Sequence, residues 1–237
     1  MTTNLKPVYL LAGGRARNRQ TPNPFIQSVV KESAKELPSV VYIGTASGDD
    51  TTFFDSNVRS FRECGAGQVT HALIVPRDAN LQKAREIIES ADIVYVSGGD
   101  VERGMRALVE KDMAGFLKEV YLQGKPFFGN SAGSIMLADE WVRWRNPEDD
   151  STAELFPCLG IAPVICDTHD EEAGWEELKA ALTLKQDGTR GYGLVSGTAV
   201  KVFPDGRVEA LGGAIHCFIR NRNRVERLPD LSPRTIG

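Results

Sequence analysis

The stretch Pro126-Phe127-Phe128-Gly129-Asn130-Ser131-Ala132-Gly133-Ser134-Ile135-Met136-Leu137-Ala138 decides how the rest of the chain is read. Pro126 to Phe128 has the apolar character of a short buried strand, and Ile135 to Ala138 begins an apolar helical run. Between them, Gly129-Asn130-Ser131-Ala132-Gly133 spells G-x-S-x-G. In a strand–turn–helix setting this pattern makes a nucleophile elbow, a turn so tight that the flanking positions must be small. The turn lifts the serine hydroxyl clear of the sheet, so Ser131 is the candidate nucleophile. The N–H of Ala132 lies at the incoming helix N-terminus and is a candidate oxyanion donor.

Upstream of the elbow, apolar runs alternate with helical spacing. Val8 to Ala12, Val40 to Gly44, Val69 to Val75 and Ile93 to Val96 are expected strands. Phe25 to Leu37, Phe53 to Cys64, Leu81 to Ser90 and Met113 to Leu122 are expected helices. Such alternation with short links implies right-handed crossovers and a mostly parallel, doubly wound α/β sheet. The runs VVYIG and IVYV lack polar alternation, as strands covered on both faces do. Beyond about residue 140 the segments Trp141 to Arg145, Val200 to Phe203, Arg207 to Leu211 and Ala214 to Arg220 predict shorter strands, forming an antiparallel C-terminal extension. One domain over residues 1–237 is expected.

Composition narrows the function classes. With 41% hydrophobic and 25% charged residues, the chain of 237 residues can bury a large core. A net charge of −4 argues against a nucleic-acid partner. Arg15, Arg17 and Arg19, and again Arg220, Arg222, Arg224 and Arg227, read as a solvated loop and tail. Cys64, Cys158, Cys166 and Cys217 have no metal-ligand spacing, and a chain of this size needs no disulfide staples. No apolar run approaches a membrane span, and the N-terminus reads as a first strand rather than a signal peptide. A cytoplasmic protein with no membrane partner is therefore expected, with a homodimer left open.

A serine nucleophile needs a base, and three histidines are available. His71 and His216 lie inside expected strands, where a packed sheet histidine is the simpler reading. His169 follows the run from Ile161 to Cys166 and precedes a helix expected to start near Glu171. That puts it at a strand's carboxyl end, on the side of the sheet that carries Ser131, and makes it the candidate base. Open parallel sheets place their sites at these ends. Ser97-Gly98-Gly99-Asp100 ends another strand, so the N–H of Gly99 is the second candidate oxyanion donor.

At this point the chain resembles peptidase family S51, which includes aspartyl dipeptidase (peptidase E) and cyanophycinase. Those enzymes look like class I glutamine amidotransferases, of flavodoxin-like fold, whose cysteine nucleophile has become serine. The resemblance rests on Ser97-Gly98-Gly99-Asp100, on the elbow through Ser134, on Asp167-Thr168-His169, and on Gly191 to Ala199. It implies Ser131 as nucleophile, His169 as base, and the Gly99 and Ala132 N–H groups as the oxyanion hole. A small peptide or amide is the implied substrate, with no cofactor and no metal.

Two departures from the family pattern stand out. Ser196 occupies the position of a glutamate that usually orients the histidine, so the orienting acid is sought among Asp149, Asp150, Asp167 and Asp170, or is missing. The stretch Asp170 to Glu177 also lacks the arginines that usually follow the histidine. Acidic substrates are then disfavoured unless Arg15, Arg17 or Arg19 reaches the site. The rivals are a non-catalytic ligand-binding protein with a degenerate triad, an amidotransferase component disfavoured by the serine, and a nucleotide-binding domain. The last would use Leu11-Ala12-Gly13-Gly14, which lacks the full glycine spacing.

Overall fold

The computed structural model describes residues 5–13 and 22–234. In chain order its elements are β1 (Val8–Leu11), α1 (Pro24–Glu32), β2 (Val40–Ile43), α2 (Thr51–Glu63), β3 (Val69–Ala72), α3 (Leu81–Ser90) and β4 (Ile93–Val96). Then come α4 (Val101–Glu110), α5 (Ala114–Leu122), β5 (Phe127–Asn130), α6 (Ala132–Leu137), β6 (Glu140–Trp144) and β7 (Ala153–Pro157). The C-terminal part holds β8 (Ile165–Thr168), α7 (Glu176–Thr183), β9 (Arg190–Leu194), β10 (Ala199–Val202), β11 (Val208–Leu211), β12 (Ile215–Asn221), β13 (Arg224–Leu231) and β14 (Pro233–Arg234).

The main sheet has the order β14-β11-β10-β1-β5-β4-β2-β3. From β1 to β3 every pairing is parallel. Strands β1, β2 and β4 are buried along their whole length, and the pleat sends alternate residues to two separate cores. Tyr9, Leu11, Val40, Tyr42, Tyr95 and Phe128 pack with Phe25 and Val29 of α1 and Phe61 of α2. Val8, Leu10, Val41, Ile43, Val96 and Phe127 pack on the other side, with α3 to α6. This is the mostly parallel, doubly wound α/β fold expected from the sequence.

The antiparallel extension divides in three, with β6, which holds the expected strand at Trp141, pairing antiparallel with β7 in a two-stranded sheet of its own. Strands β10 and β11 add to the main sheet through β1. Strands β8, β9, β12 and β13 form a second sheet in the order β13-β12-β9-β8, in which β8 and β9 are parallel. Ile165, Leu194, Ile215 and Phe218 of this sheet, with Trp175 and Leu178 of the α7 region, join the core on the α3–α6 side. Alternation along single strands does not say which sheet each strand enters.

One helix is added to those expected, and two local expectations change. Helix α4 is capped by Asp100, whose carboxylate accepts from Arg103 N–H at 2.7 Å. Its Gly104 packs tightly, since a Cβ there would lie 2.6 Å from Met136 Sδ. The second basic cluster is no tail. Arg224 and Arg227 lie on β13, paired with Glu226 and Asp230 at 2.6 and 2.5 Å. Helix α7 begins at Glu176 rather than near Glu171, leaving Asp170 to Gly174 as a loop.

Candidate active site

Strand β5 runs into Ser131, which holds φ 53° and ψ −126° before α6 begins at Ala132. A positive φ on a non-glycine residue costs on the order of 1–3 kcal/mol, so the surroundings must enforce it. They do so through backbone bonds. Ser131 N–H donates to Leu11 O at 2.9 Å, and Ser134 N–H donates to Ser131 O at 2.8 Å. The Ser134 hydroxyl also donates to Leu11 O, at 2.9 Å. The glycines on either side are a packing requirement. A Cβ on Gly129 would stand 2.5 Å from Gly133 O, and one on Gly133 would run into Val96 O.

The neighbouring strand contributes the turn after β4. Gly99 holds φ +143°, and a Cβ there would strike Ala46 O in the turn that follows β2. A Cβ on Gly98 would lie 3.2 Å from Ser131 Cβ, so this turn sits directly against the serine. Among the described residues, the N–H groups of Gly99 and Ala132 donate to no backbone or side-chain acceptor.

His169 comes from the second sheet. It follows β8, turns with φ 47°, and its N–H donates to Leu194 O at 2.8 Å. Strand β8 is held against the elbow helix by Cys166, whose Sγ lies 4.0 Å from Ser134 O. The outcome is a distance of 2.6 Å between Ser131 Oγ and His169 Nε2. With the hydroxyl donating to Nε2, the ring proton sits on Nδ1.

The four aspartates considered as orienting acids make no bond to this ring. Asp149 accepts from Ser151 N–H at 3.0 Å and Ser151 Oγ at 2.7 Å in an exposed turn that also holds Asp150. Asp167 is 4% exposed. Its Oδ1 accepts from Thr168 N–H at 2.7 Å, and its Oδ2 is buried without a partner. Burial, with Asp170 and Glu177 nearby, pushes its carboxyl up to about 8. Asp170 accepts from Trp175 N–H through its backbone oxygen at 3.2 Å, its Oδ2 is buried without a partner among the described residues, and burial raises its carboxyl above the usual value.

The sequence reading missed Glu171. Its Oε1 accepts from Ser196 N–H at 3.2 Å, which brings a carboxylate to the segment where the family pattern has one. The expected helix start at Glu171 concealed this, because a helical residue would not fold back over β9. The other two histidines are sheet residues, as read. His71 lies 3.4 Å from Asp49 and stacks on Phe54, while His216 Nδ1 accepts from Trp175 Nε1 at 2.8 Å. Arg15, Arg17 and Arg19 fall outside the described residues.

The four cysteines are free and buried. Burial raises each thiol, Cys158 to about 12, so none is poised as a thiolate. Among the described residues no cluster of three metal-ligating side chains occurs, and no helix is long and apolar enough to cross a membrane.

Fold and site together define a doubly wound α/β protein with a strained elbow serine beside a histidine. The chain belongs to peptidase family S51, whose model matches residues 8–209. It is similar to the uncharacterized peptidase YgaJ of Bacillus subtilis (strain 168), 23% identical over 138 residues. That match covers 58% of this chain and 59% of YgaJ, so it spans less than two thirds of the relative's length. Among solved structures, a peptidase from an acI-B1 Actinobacterium superposes with a TM-score of 0.73 at 17% identity, covering 98% of both chains. A Listeria monocytogenes EGD-e protein assigned as a peptidase E gives 0.63 at 16% identity, over 87% of this chain and 98% of that one. At these identities the two structures speak for the fold.

Proposed function

We propose that the protein is a serine-type peptidase or amide hydrolase acting on small peptides, with Ser131 as nucleophile and His169 as general base. The observation that carries this reading is the 2.6 Å approach of Ser131 Oγ to His169 Nε2, made by a serine held at φ 53° on an elbow turn. Membership of a peptidase family supports the reaction class.

In the proposed reaction Ser131 Oγ bonds to the substrate carbonyl carbon while its proton passes to His169 Nε2. The carbonyl oxygen takes the electron pair and is met by the N–H groups of Gly99 and Ala132, the proposed oxyanion hole. A donor of this kind is worth about 3–4 kcal/mol of transition-state stabilisation. The carbon–nitrogen bond then breaks as His169 returns the proton to the leaving amine. Water attacks the acyl-serine with His169 again as base, releasing the acid and restoring the serine. No cofactor enters these steps.

Labelling with a fluorophosphonate probe tests the reading. Wild type is expected to label at Ser131, and Ser131→Ala to lose both labelling and peptide hydrolysis with its Tm nearly unchanged. Equal turnover by Ser131→Ala and wild type refutes it. One observation favours a second reading, a ligand-binding protein with a lapsed triad: no carboxylate among the described residues bonds to the His169 ring. Failure of wild type to label would favour that reading.

A further inference from the structure

Two residues of the loop after β8 straddle one short segment at the end of β9. His169 N–H donates to Leu194 O at 2.8 Å, and the Glu171 carboxylate accepts from Ser196 N–H at 3.2 Å. The backbone reversal at His169, φ 47°, is what lets the chain come back over β9. Oxygen Oε1 of Glu171 is thereby clamped, and Oε2 is buried with no partner among the described residues. Burial pushes this carboxyl up. The Ser196 hydrogen bonds and the nearby His169 charge outweigh that, and it ends below the ordinary glutamate value, ionised at neutral pH.

We infer that Glu171 is the positioning carboxylate for His169, supplying from the loop after β8 the negative charge that Ser196 lacks. The inference rests on the Ser131–His169 reading. When the serine proton reaches Nε2 the ring becomes a cation, and a fixed carboxylate nearby lowers the energy of that state. The unpartnered Oε2 leaves one carboxylate oxygen uncommitted, and the carboxylate acts on the ring through its charge. Asp170 also has a buried unpartnered oxygen, Oδ2, but unlike Glu171 it makes no bond to the Ser196 segment, and burial raises its carboxyl. Asp167, whose Oδ1 is bonded to Thr168 N–H, is pushed by burial up to about 8 and carries little charge at neutral pH, while His216, which also feels the Glu171 charge, has its Nδ1 taken by Trp175.

The test follows the imidazole signals of the full-length protein by NMR across pH, with the kcat/KM–pH profile measured in parallel. His169→Gln assigns the relevant resonance. Glu171→Gln is expected to move the His169 titration midpoint and the acid limb of the profile to lower pH by about half to one unit. It should lower kcat about 10- to 100-fold, less than the loss for a directly bonded triad acid, while KM stays within about twofold. The double variant Glu171→Gln with Ser196→Glu should bring the midpoint back and recover part of kcat. If Glu171→Gln fails to fold, Glu171→Asp, with its shorter reach, should give a smaller shift of the same sign. A lower Tm with an unmoved midpoint marks a structural role only and overturns the inference, as does a larger shift on Asp170→Asn. The midpoint needs no turnover, so its failure is distinct from failure of Ser131 to label, which would remove the hydrolase reading itself.

Discussion

At the residue scale, the most unusual group near the site is Asp167. Its carboxyl is raised from the ordinary 3.8 to about 8, first by burial and then by the charges of Asp170 and Glu177. Below the ordinary value both folded and unfolded chains carry the proton, and the group is neutral to stability. As pH rises from 3.8 toward 8 the unfolded chain releases the proton and the folded one keeps it, so stability is lost across that window. Asp167→Asn keeps an acceptor for Thr168 N–H and removes the titration. We predict that the variant is more stable than wild type at pH 8, by on the order of 5 kcal/mol, with the difference vanishing below about pH 4. Thermal unfolding across pH checks this. Parallel curves for the two proteins would show that Asp167 ionises normally in the fold.

At the element scale, the elbow couples three pieces of secondary structure. Helix α6 lies so close to β4 that a Cβ at Gly133 meets Val96 O, which is backbone and cannot rotate aside. Gly133→Ala is therefore expected to cost about 3 kcal/mol or more, through displacement of α6 and with it Ser131. Denaturant unfolding and probe labelling should fall together. A variant of wild-type stability would mean that α6 has room the packing does not show. Both glycines of the motif were legible in the sequence because the requirement for small residues is local. Helix α4, absent from the sequence reading, holds Gly104, a residue of low helix propensity, where Met136 and Ala46 come close.

At the scale of the whole molecule, the site is a junction between two sheets: Ser131 leaves the main sheet and His169 leaves the second. The second sheet also brings Asp170 and Glu171 beside the histidine, making this wall of the site acidic. We predict that dipeptides with an acidic residue before the scissile bond are cleaved at least about tenfold more slowly than neutral or basic ones, from like-charge repulsion of about 1.4 kcal/mol or more. A dipeptide panel measures this. Fast cleavage of Asp-Xaa peptides, lost on mutating Arg15, Arg17 or Arg19, would show that the first loop supplies a compensating cation.

What the sequence determined by itself is what short-range physics controls. The unbroken apolar runs of β1, β2 and β4 announce strands covered on both faces, and their alternation with amphipathic helices leaves one sheet type open to them. The small residues around Ser131 announce the elbow, and the position of His169 after an apolar run announces a strand end. Tertiary structure alone decided how the C-terminal strands divide, because alternation along a strand says which face is buried and not which neighbour it pairs with. It also decided which carboxylate reaches the Ser196 segment. None of the four candidate aspartates bonds to the His169 ring, whereas the loop after β8 reverses at His169 and carries Glu171 to Ser196. That contact depends on β9 lying parallel to β8, a pairing set by the packing of both strands rather than by any residue in the loop.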